Sequence, residues 1–230
     1  MKHLLTTALL AILVFCSVSL NAQSRDIPNF SAISASTSVS VTLIKADAPA
    51  IEYRMIKGKD ENLITEVKGN TLKIKTKSKN GWSWSSNAQA EVTVYYTQLS
   101  DINVAAGASL KASDPIYTED MDIDVSSGAS ADIEVICTEL SADASSGATI
   151  KLEGSSSKSS YDASSGASIR AKTLTSNKVR AEASSGASIS LHADKSLNAD
   201  ASSGGSIKYA GNVSDTDIDA GWSGQIRRIR

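Results

Sequence analysis

The sequence predicts an all-β protein: a single-stranded, right-handed parallel β-helix with a β-rich N-terminal cap. Three observations predict this fold. A seven-residue segment recurs at nearly constant spacing, apolar and polar residues alternate on both sides of it, and the same residue types return at the same distance from each copy. A period near 20 residues is typical of solenoids, whose turns bury their inner faces by stacking on one another.

The repeated segment is "ASSGASI", which occurs at residues 163–169 and 183–189 and has close variants at four other places. Its glycines follow one another at steps of 18 to 21 residues: Gly107, Gly128, Gly147, Gly166, Gly186 and Gly204. A degenerate seventh copy, "DAGWSGQI", places Ser223 in the glycine position. Glycine suits a corner because it tolerates a positive φ. We expect the serine hydroxyls to form hydrogen bonds along the stacked corners.

The segments on both sides of each corner alternate with period two, as in "LSADAS" (140–145) and "SISLHA" (188–193). This pattern predicts strands with one buried face, stacked at about 4.8 Å per turn. One inner column stands three residues after the glycine: Leu110, Ala131, Ile150, Ile169, Ile189, Ile207 and Ile226. Another stands three residues before it: Val104, Val125, Ala144, Ala163, Ala183, Ala201 and Ala220. A large column beside a small one fills a narrow core.

The chain divides into three parts. Residues 1–22 combine a basic start, a short apolar run and a small residue before the expected cut, which predicts a cleaved secretory signal. Residues 23–98 contain alternating strands without the repeat, and we interpret them as a β-rich cap or as irregular turns. Residues 99–230 form the repetitive β-helix. We therefore expect a secreted protein of the periplasm, the outer-membrane surface or the extracellular space, and not an integral membrane protein.

The composition excludes several classes of function. A formal net charge of −2 gives no reason to expect a nucleic-acid partner. Without residues 1–22 the chain keeps a single cysteine, Cys137, so it has no internal disulfide, and we expect this thiol to be a small buried apolar residue. No "GxSxG" segment marks a nucleophilic serine, and we predict no catalytic residues.

Two tryptophans, Trp82 and Trp84, lie in the loop "SKNGWSWSSNA" (78–88). Aromatic faces can stack on sugar rings, so this pair is the candidate ligand contact. The alternative is that both rings pack against the cap. A third tryptophan, Trp222, stands in the degenerate last copy, where we expect it to help close the end of the solenoid.

An acidic column stands four residues before the glycines: Asp124, Asp143, Asp162, Glu182, Asp200 and Asp219. A mostly basic column stands four residues after them and includes Lys111, Lys151, Arg170 and Arg227. Both alternate with inner columns and should point outward. Carboxylates one turn apart repel one another, so we expect solvent or basic partners to compensate them. The alternative is a weak Ca²⁺ site, since Ca²⁺ binds several oxygens; we predict no other cofactor or metal.

The segments "RDIPNFSAISASTSVSVTLIKAD", "IEYRMIKG", "NTLKIKTK" and "LSDINVAAGASLKA" resemble the putative auto-transporter adhesin, head GIN domain family (DUF2807). The resemblance extends over residues 25–230, although the family favours "GSG" corners where this chain has "SSGAS". It implies a secreted or envelope-associated bacterial β-helix protein of the kind common in Bacteroidetes, of unknown function. It implies no catalytic residues.

The resulting expectation is a non-enzymatic binding or adhesion module of the cell envelope, with a polysaccharide or a cell-surface protein as partner. Glycan binding is the specific hypothesis. Two alternatives stay open. The acidic column could supply paired carboxylates to a carbohydrate-active β-helix enzyme, or the protein could be a purely structural part of the envelope. The sequence does not predict an oligomeric state.

Overall fold

A computed structural model describes residues 23–77 and 88–229. It confirms the predicted fold class: the chain is a β-solenoid of about seven turns, with almost no helix. The helical segment in the described part is a short 3-10 helix at Asp60–Asn62. The predicted signal segment, residues 1–22, and the two tryptophans Trp82 and Trp84 lie outside the described residues.

The strands follow one another along nearly the whole described chain. The N-terminal strands are β1 (Gln23–Asp26), β2 (Ala32–Ser36), β3 (Val39–Lys45), β4 (Ala50–Lys57), β5 (Leu63–Lys68), β6 (Thr71–Thr76) and β7 (Gln89–Tyr96). The repetitive part contains β8 (Asp101–Ala105), β9 (Ser109–Ala112), β10 (Ile116–Tyr117), β11 (Asp120–Val125), β12 (Ser130–Ala144), β13 (Thr149–Ala163), β14 (Ser168–Ala183), β15 (Ser188–His192), β16 (Ser196–Ala201), β17 (Ser206–Ala210), β18 (Asp215–Ala220) and β19 (Gln225–Arg228).

The strands of the repetitive part pair in parallel and in the register that the repeat predicts. Ile150 lies between Ala131 and Ile169 on adjacent turns, and Ala144 lies beside Ala163. Ile150 and Ile169 are completely buried. Each inner residue is thus covered by its equivalents on the neighbouring turns, which is why one turn could not form a core alone.

Every corner from the first to the sixth copy of the repeat is a type I′ turn, with two consecutive residues at positive φ. In the second copy these are Ser127 (φ 54°) and Gly128 (φ 69°), and Ala129 N–H donates to Ser126 O at 3.1 Å. Neighbouring corners are linked by the glycine amide, since Gly128 N–H donates to Ser146 O at 3.0 Å. Backbone groups therefore satisfy one another here. Beside the corners, the Ser188 hydroxyl donates to the Ser168 hydroxyl of the neighbouring turn at 3.3 Å, so a serine bond of the predicted kind is present there as well.

The N-terminal turns are not stacked in chain order. The turn formed by β2 and β3 lies between the turn formed by β6 and β7 and the turn formed by β8 and β9, because β2 pairs with both β6 and β8, and β3 with both β7 and β9. These pairings are parallel. Beyond them, β5 pairs with β6 and β4 with β7, both antiparallel, and β1 extends β4. Ile33, Leu43 and Leu72 are fully buried, so this part shares one core with the solenoid.

The C-terminal turn differs from the others at its corner. Trp222 stands in the column of Ser203, but only Ser223 (φ 61°) has a positive φ there. The reason is steric, since a bulky aromatic residue rarely adopts the left-handed conformation that serine tolerates in the preceding corners. Trp222 is 91% exposed. The expectation that it closes the end of the solenoid is therefore wrong.

Candidate functional site

A groove of about 570 Å³ runs along the solenoid axis. We call it the charged groove. It crosses five turns, from Ser100 on the first to Arg180 on the last. Its lining consists of Ser100, Asp120, Met121, Asp122, Glu139, Leu140, Ser141, Lys158, Ser159, Ser160, Lys178, Val179 and Arg180. These residues come from equivalent positions on successive turns, so the groove is a direct product of the repeat.

Three columns build the charged groove. One wall is Asp120, Glu139, Lys158 and Lys178, and the other is Asp122, Ser141, Ser160 and Arg180. The floor between them is the buried column Met121, Leu140, Ser159 and Val179. The hydroxyl of Ser159 bonds the hydroxyl of Ser156 at 2.7 Å inside the core, which satisfies this polar floor residue. The floor residues are mainly apolar, but their side chains are buried in the core, so the polar walls supply the side chains that a ligand can reach.

Charge changes sign along the groove. Asp120, Asp122 and Glu139 make the N-terminal half acidic, whereas Lys158, Lys178 and Arg180 make the C-terminal half basic. The two halves meet at an ion pair, in which Lys158 Nζ lies 2.5 Å from Glu139 Oε1 on the neighbouring turn. Arg180 pairs with Glu182 on its own strand. Lys178 has no ion-pair partner within residues 23–77 and 88–229, so its charge is available to a ligand.

The predicted acidic column exists as a column. Asp124 pairs in register with Asp143, Asp143 with Asp162, and the series continues through Glu182, Asp200 and Asp219. Its first members line a shallow groove of about 430 Å³ with Asn103, Ser126, Ser145 and Ser164. In the described part of the chain, Asp124, Asp143 and Asp162 form no ion pair. The basic column does not reach them.

Partial burial and mutual repulsion act on these carboxyl groups in the same direction. Burial and the carboxylates of Asp124, Asp162 and Asp122 raise the pKa of Asp143 to about 6, against a smaller opposing effect of a hydrogen bond with Ser141. Burial followed by the repulsion of neighbouring acids also raises the pKa of Asp124 and of Asp162. The column therefore lacks compensation at neutral pH.

The predicted basic column compensates itself instead. Lys151 Nζ lies 3.2 Å from Asp132, which occupies the same column one turn earlier, and 2.8 Å from Glu153. Lys111, Asp132, Lys151 and Arg170 line another groove of about 510 Å³ with Ser40 and Ser109.

Cys137 is half-buried, and burial together with Asp120 raises the pKa of its thiol to about 11. A thiol of this kind is a poor nucleophile.

No group of three or more His, Cys, Asp or Glu side chains in the described residues is placed to hold a metal ion. The weak Ca²⁺ site on the acidic column therefore stays a prediction. The same is true of Trp82 and Trp84 as ligand contacts.

The charged groove was missed by sequence reasoning, although its walls stand eight and six residues before the repeat glycines. The change of charge along those positions was the signal that could have found it.

The chain is similar to known proteins in both sequence and fold. A family model described as "Putative auto-transporter adhesin, head GIN domain" matches residues 29–213. The chain belongs to this family. The match begins before β2 and ends before β18, so it includes both the N-terminal turns and most of the repeats. The resemblance seen in the sequence is thereby confirmed.

Solved structures share the fold. A putative adhesin from Bacteroides fragilis superposes with a TM-score of 0.81 at 20% identity, over 90% of this chain and 96% of its own. A putative adhesin from Parabacteroides merdae has a TM-score of 0.70 at 16% identity, over 91% and 95% of the two chains. A protein from Parabacteroides distasonis, named a putative lipid binding protein, has a TM-score of 0.67 at 20% identity, over 92% and 98%. At these identities the likeness shows the fold alone.

Among curated proteins, none matches the chain. The family and the two most similar structures named above are described as adhesins and not as enzymes. In the part of the chain that the structure describes, no helix has the length and apolar character to cross a membrane.

Proposed function

We propose that this member of the head GIN domain family is a non-enzymatic binding module of the bacterial cell envelope, and that its charged groove holds a linear acidic polysaccharide. The observation that carries the proposal is the groove itself, which crosses five turns with its polar columns in register. Four steps of about 4.8 Å make it about 19 Å long, which is suited to an extended polymer. The groove is open along its length, so a chain can enter from the side.

The polar groups match the chemistry of such a ligand. Lys178 and Arg180 lie at the basic end and can bind carboxylate or sulfate groups. Ser141 and Ser160 on one wall can donate to or accept from sugar hydroxyls. Asp120 and Asp122 at the other end accept hydrogen bonds from hydroxyls and disfavour a second anionic group, so they would set the direction of the polymer.

Several features favour binding over catalysis. The walls are rows of equivalent residues, and the repeat continues through the groove without a local interruption that would set one pair of carboxylates apart. Asp143, whose pKa is raised to about 6, lies in a column of like carboxylates that repel it. Its state is explained by burial and repulsion, without a reaction. Secretion to the envelope, predicted from residues 1–22, fits a binding role.

Trp82 and Trp84 belong to the same proposal as a second contact, through stacking on sugar rings. Their test is a double variant, Trp82→Ala with Trp84→Ala. We expect weaker binding of any glycan found. Unchanged binding would remove this loop from the proposed function and leave the charged groove as the ligand site.

The experiment is a glycan-array screen of the mature protein (residues 23–230), in the presence of calcium and again in chelator. The matched variants are Lys178→Glu with Arg180→Glu in the groove, and Lys195→Glu with Lys208→Glu outside it, since both pairs change the net charge equally. We expect acidic glycans to be bound by the wild type and the control pair, and lost in the groove pair. An array without signals for all three would contradict the proposal and favour a protein partner. Loss in chelator would assign calcium to the acidic column.

A further inference from the structure

In residues 23–77 and 88–229, nothing covers the core at the last turn of the solenoid. Within the described residues, β18 pairs only with β16 and β19 only with β17, so the outer edge of each strand has no partner. Ile218, which points inward in the column of Ile123 and Ala199, is 41% exposed, whereas Ile123 is completely buried. Unpaired edges beside apolar side chains are the usual template for adding another strand.

The opposite end of the solenoid is built differently. There the parallel turns give way to the antiparallel strands β4, β5 and β1. Ile51, Tyr53 and Leu63 in these strands are buried. The two ends therefore do not match, and a head-to-tail stack of copies would place antiparallel cap strands against a parallel turn. The last turn is instead complementary to a turn of its own shape, as every earlier turn is to the next.

Charge on the last turn is divided between its two strands. β18 carries Asp215, Asp217 and Asp219, and β19 carries Arg227 and Arg228. Asp219 and Arg227 have no ion-pair partner in the part of the chain that the structure describes. Arg228 donates to Gly211 O at 2.6 Å. One edge of the end face is thus acidic and the other edge is basic.

A second copy related by a two-fold axis through the corner at Ser223 would place each of these strands beside the other strand of its partner. β18 runs toward the corner and β19 away from it, so the axis sets β18 of one copy antiparallel to β19 of the other. When inward residues face inward residues, Ala220 lies opposite Ile226 and Asp219 opposite Arg227 of the second copy. The same axis would bring the two exposed Trp222 rings together at the corner. Pairing β18 with its own equivalent would set three aspartates against three aspartates, which is repulsive.

We propose that two copies of this chain dock through their last turns, with β18 of each copy paired to β19 of the other and Asp219 facing Arg227 across the interface. The contact extends the sheet, covers Ala220 and Ile226, sets Ile218 opposite Arg228 of the second copy, and pairs Asp219 and Arg227, which have no ion-pair partner in the described residues of one copy. A two-fold contact of this kind is closed, so it yields a dimer and not a filament. It does not depend on the ligand proposed for the charged groove.

The test is sedimentation velocity of the mature protein over a range of concentrations, at low and at high salt. We expect a concentration-dependent dimer. Asp219→Arg and Arg227→Asp should each weaken dimerisation at least about tenfold, because each sets like charges together, and the double variant should restore it. The matched controls, Asp162→Arg and Arg170→Asp, occupy the same two columns three turns earlier and should leave the dimer unchanged.

A cross-link distinguishes this contact from any other dimer. Trp222→Cys should form a disulfide-linked dimer under mild oxidation, whereas Ser165→Cys, in the same corner column three turns earlier, should not. A monomer at all concentrations would overturn the proposal, and so would larger oligomers. A dimer that both single charge reversals leave intact, or that the double variant does not restore, would show that another surface makes the contact.

Discussion

Lys158 and Glu139 form a 2.5 Å ion pair between neighbouring turns, at the point where the charged groove changes from acidic to basic. The pair lies in one column, in which Glu139 and Lys158 are equivalent residues of successive repeats. Both side chains are more than half exposed. Such exposed pairs contribute about 0–1 kcal/mol to stability. We therefore expect this pair to affect ligand binding more than the stability of the fold.

We predict that Glu139→Gln increases the affinity for acidic glycans, because it releases Lys158 and shifts the groove toward positive charge. The matched control is Asp132→Asn, which removes one of the two carboxylates that pair with Lys151 in the basic column, outside the charged groove. Affinity is measured by calorimetric titration. Equal gains for both variants would indicate that net charge, and not this groove, governs binding. The free energy of unfolding should change by less than about 1 kcal/mol in either variant.

The raised pKa of Asp143 predicts an unusual pH dependence of stability. In the folded protein the pKa is about 6, against 3.8 for an ordinary aspartate. Between these values the folded state binds more protons than the unfolded state, so the free energy of unfolding should rise as pH falls through this window. Asp143→Asn should stabilise the protein at pH 7 and reduce the rise. Denaturant unfolding at a series of pH values measures both effects.

The control for that experiment is Asp132→Asn, since Asp132 is paired with Lys151 and its removal gives no such stabilisation. If Asp143→Asn and Asp132→Asn had the same pH profile, the acidic column would be fully solvated, and neither burial nor repulsion would act on it.

Two glycine substitutions should separate backbone conformation from close packing. A Cβ at Gly166, at φ +72°, would meet nothing within 4 Å, so Gly166→Ala should cost only the left-handed conformation, about 1–2 kcal/mol. A Cβ at Gly154, at φ +112°, would lie 2.1 Å from Val135 O. Gly154→Ala should therefore destabilise the protein by more than Gly166→Ala. Chemical denaturation at one temperature compares them, and equal losses would show that the turns do not approach as closely at Gly154.

Two isoleucines of one inner column should differ in how much stability they contribute. Ile123→Ala removes a completely buried side chain and should cost about 2–5 kcal/mol. Ile218→Ala, at the uncovered end, should cost less than half as much when measured at concentrations where the protein is monomeric. A large loss for Ile218→Ala in the monomer would mean that something within the chain covers the last turn.

The repeated part of the fold could be predicted from the sequence because stacking imposes one residue type on each column. Ile150 and Ile169 stand at the same distance from their repeat glycines, which predicts that both point inward. The structure pairs them with each other on neighbouring turns. The corner was only half predicted. Gly128 was expected to have a positive φ, but Ser127 has one too, and a serine carries no mark of that conformation.

The order of the N-terminal turns could not be predicted. β2 lies between β6 and β8, which are far apart in the chain, and no periodicity in residues 23–98 records a pairing of that kind. The repeat shows which column Trp222 occupies, but it does not show whether other residues cover the last turn. The 91% exposure of Trp222 could therefore not be predicted. The charged groove depends on side chains such as Asp120 and Lys178, which occupy equivalent positions but differ in residue type from turn to turn, so the repeated segment does not indicate their charge.

The measurement that tests the central claim most directly is the affinity of one acidic glycan, found on the array, for the wild type and for Lys178→Glu with Arg180→Glu. We expect the glycan to bind the wild type and the variant Lys195→Glu with Lys208→Glu, but not the groove variant, while all three proteins unfold at similar denaturant concentrations. Equal affinity of the groove variant and the wild type would contradict the proposed function and would place the ligand elsewhere on the solenoid.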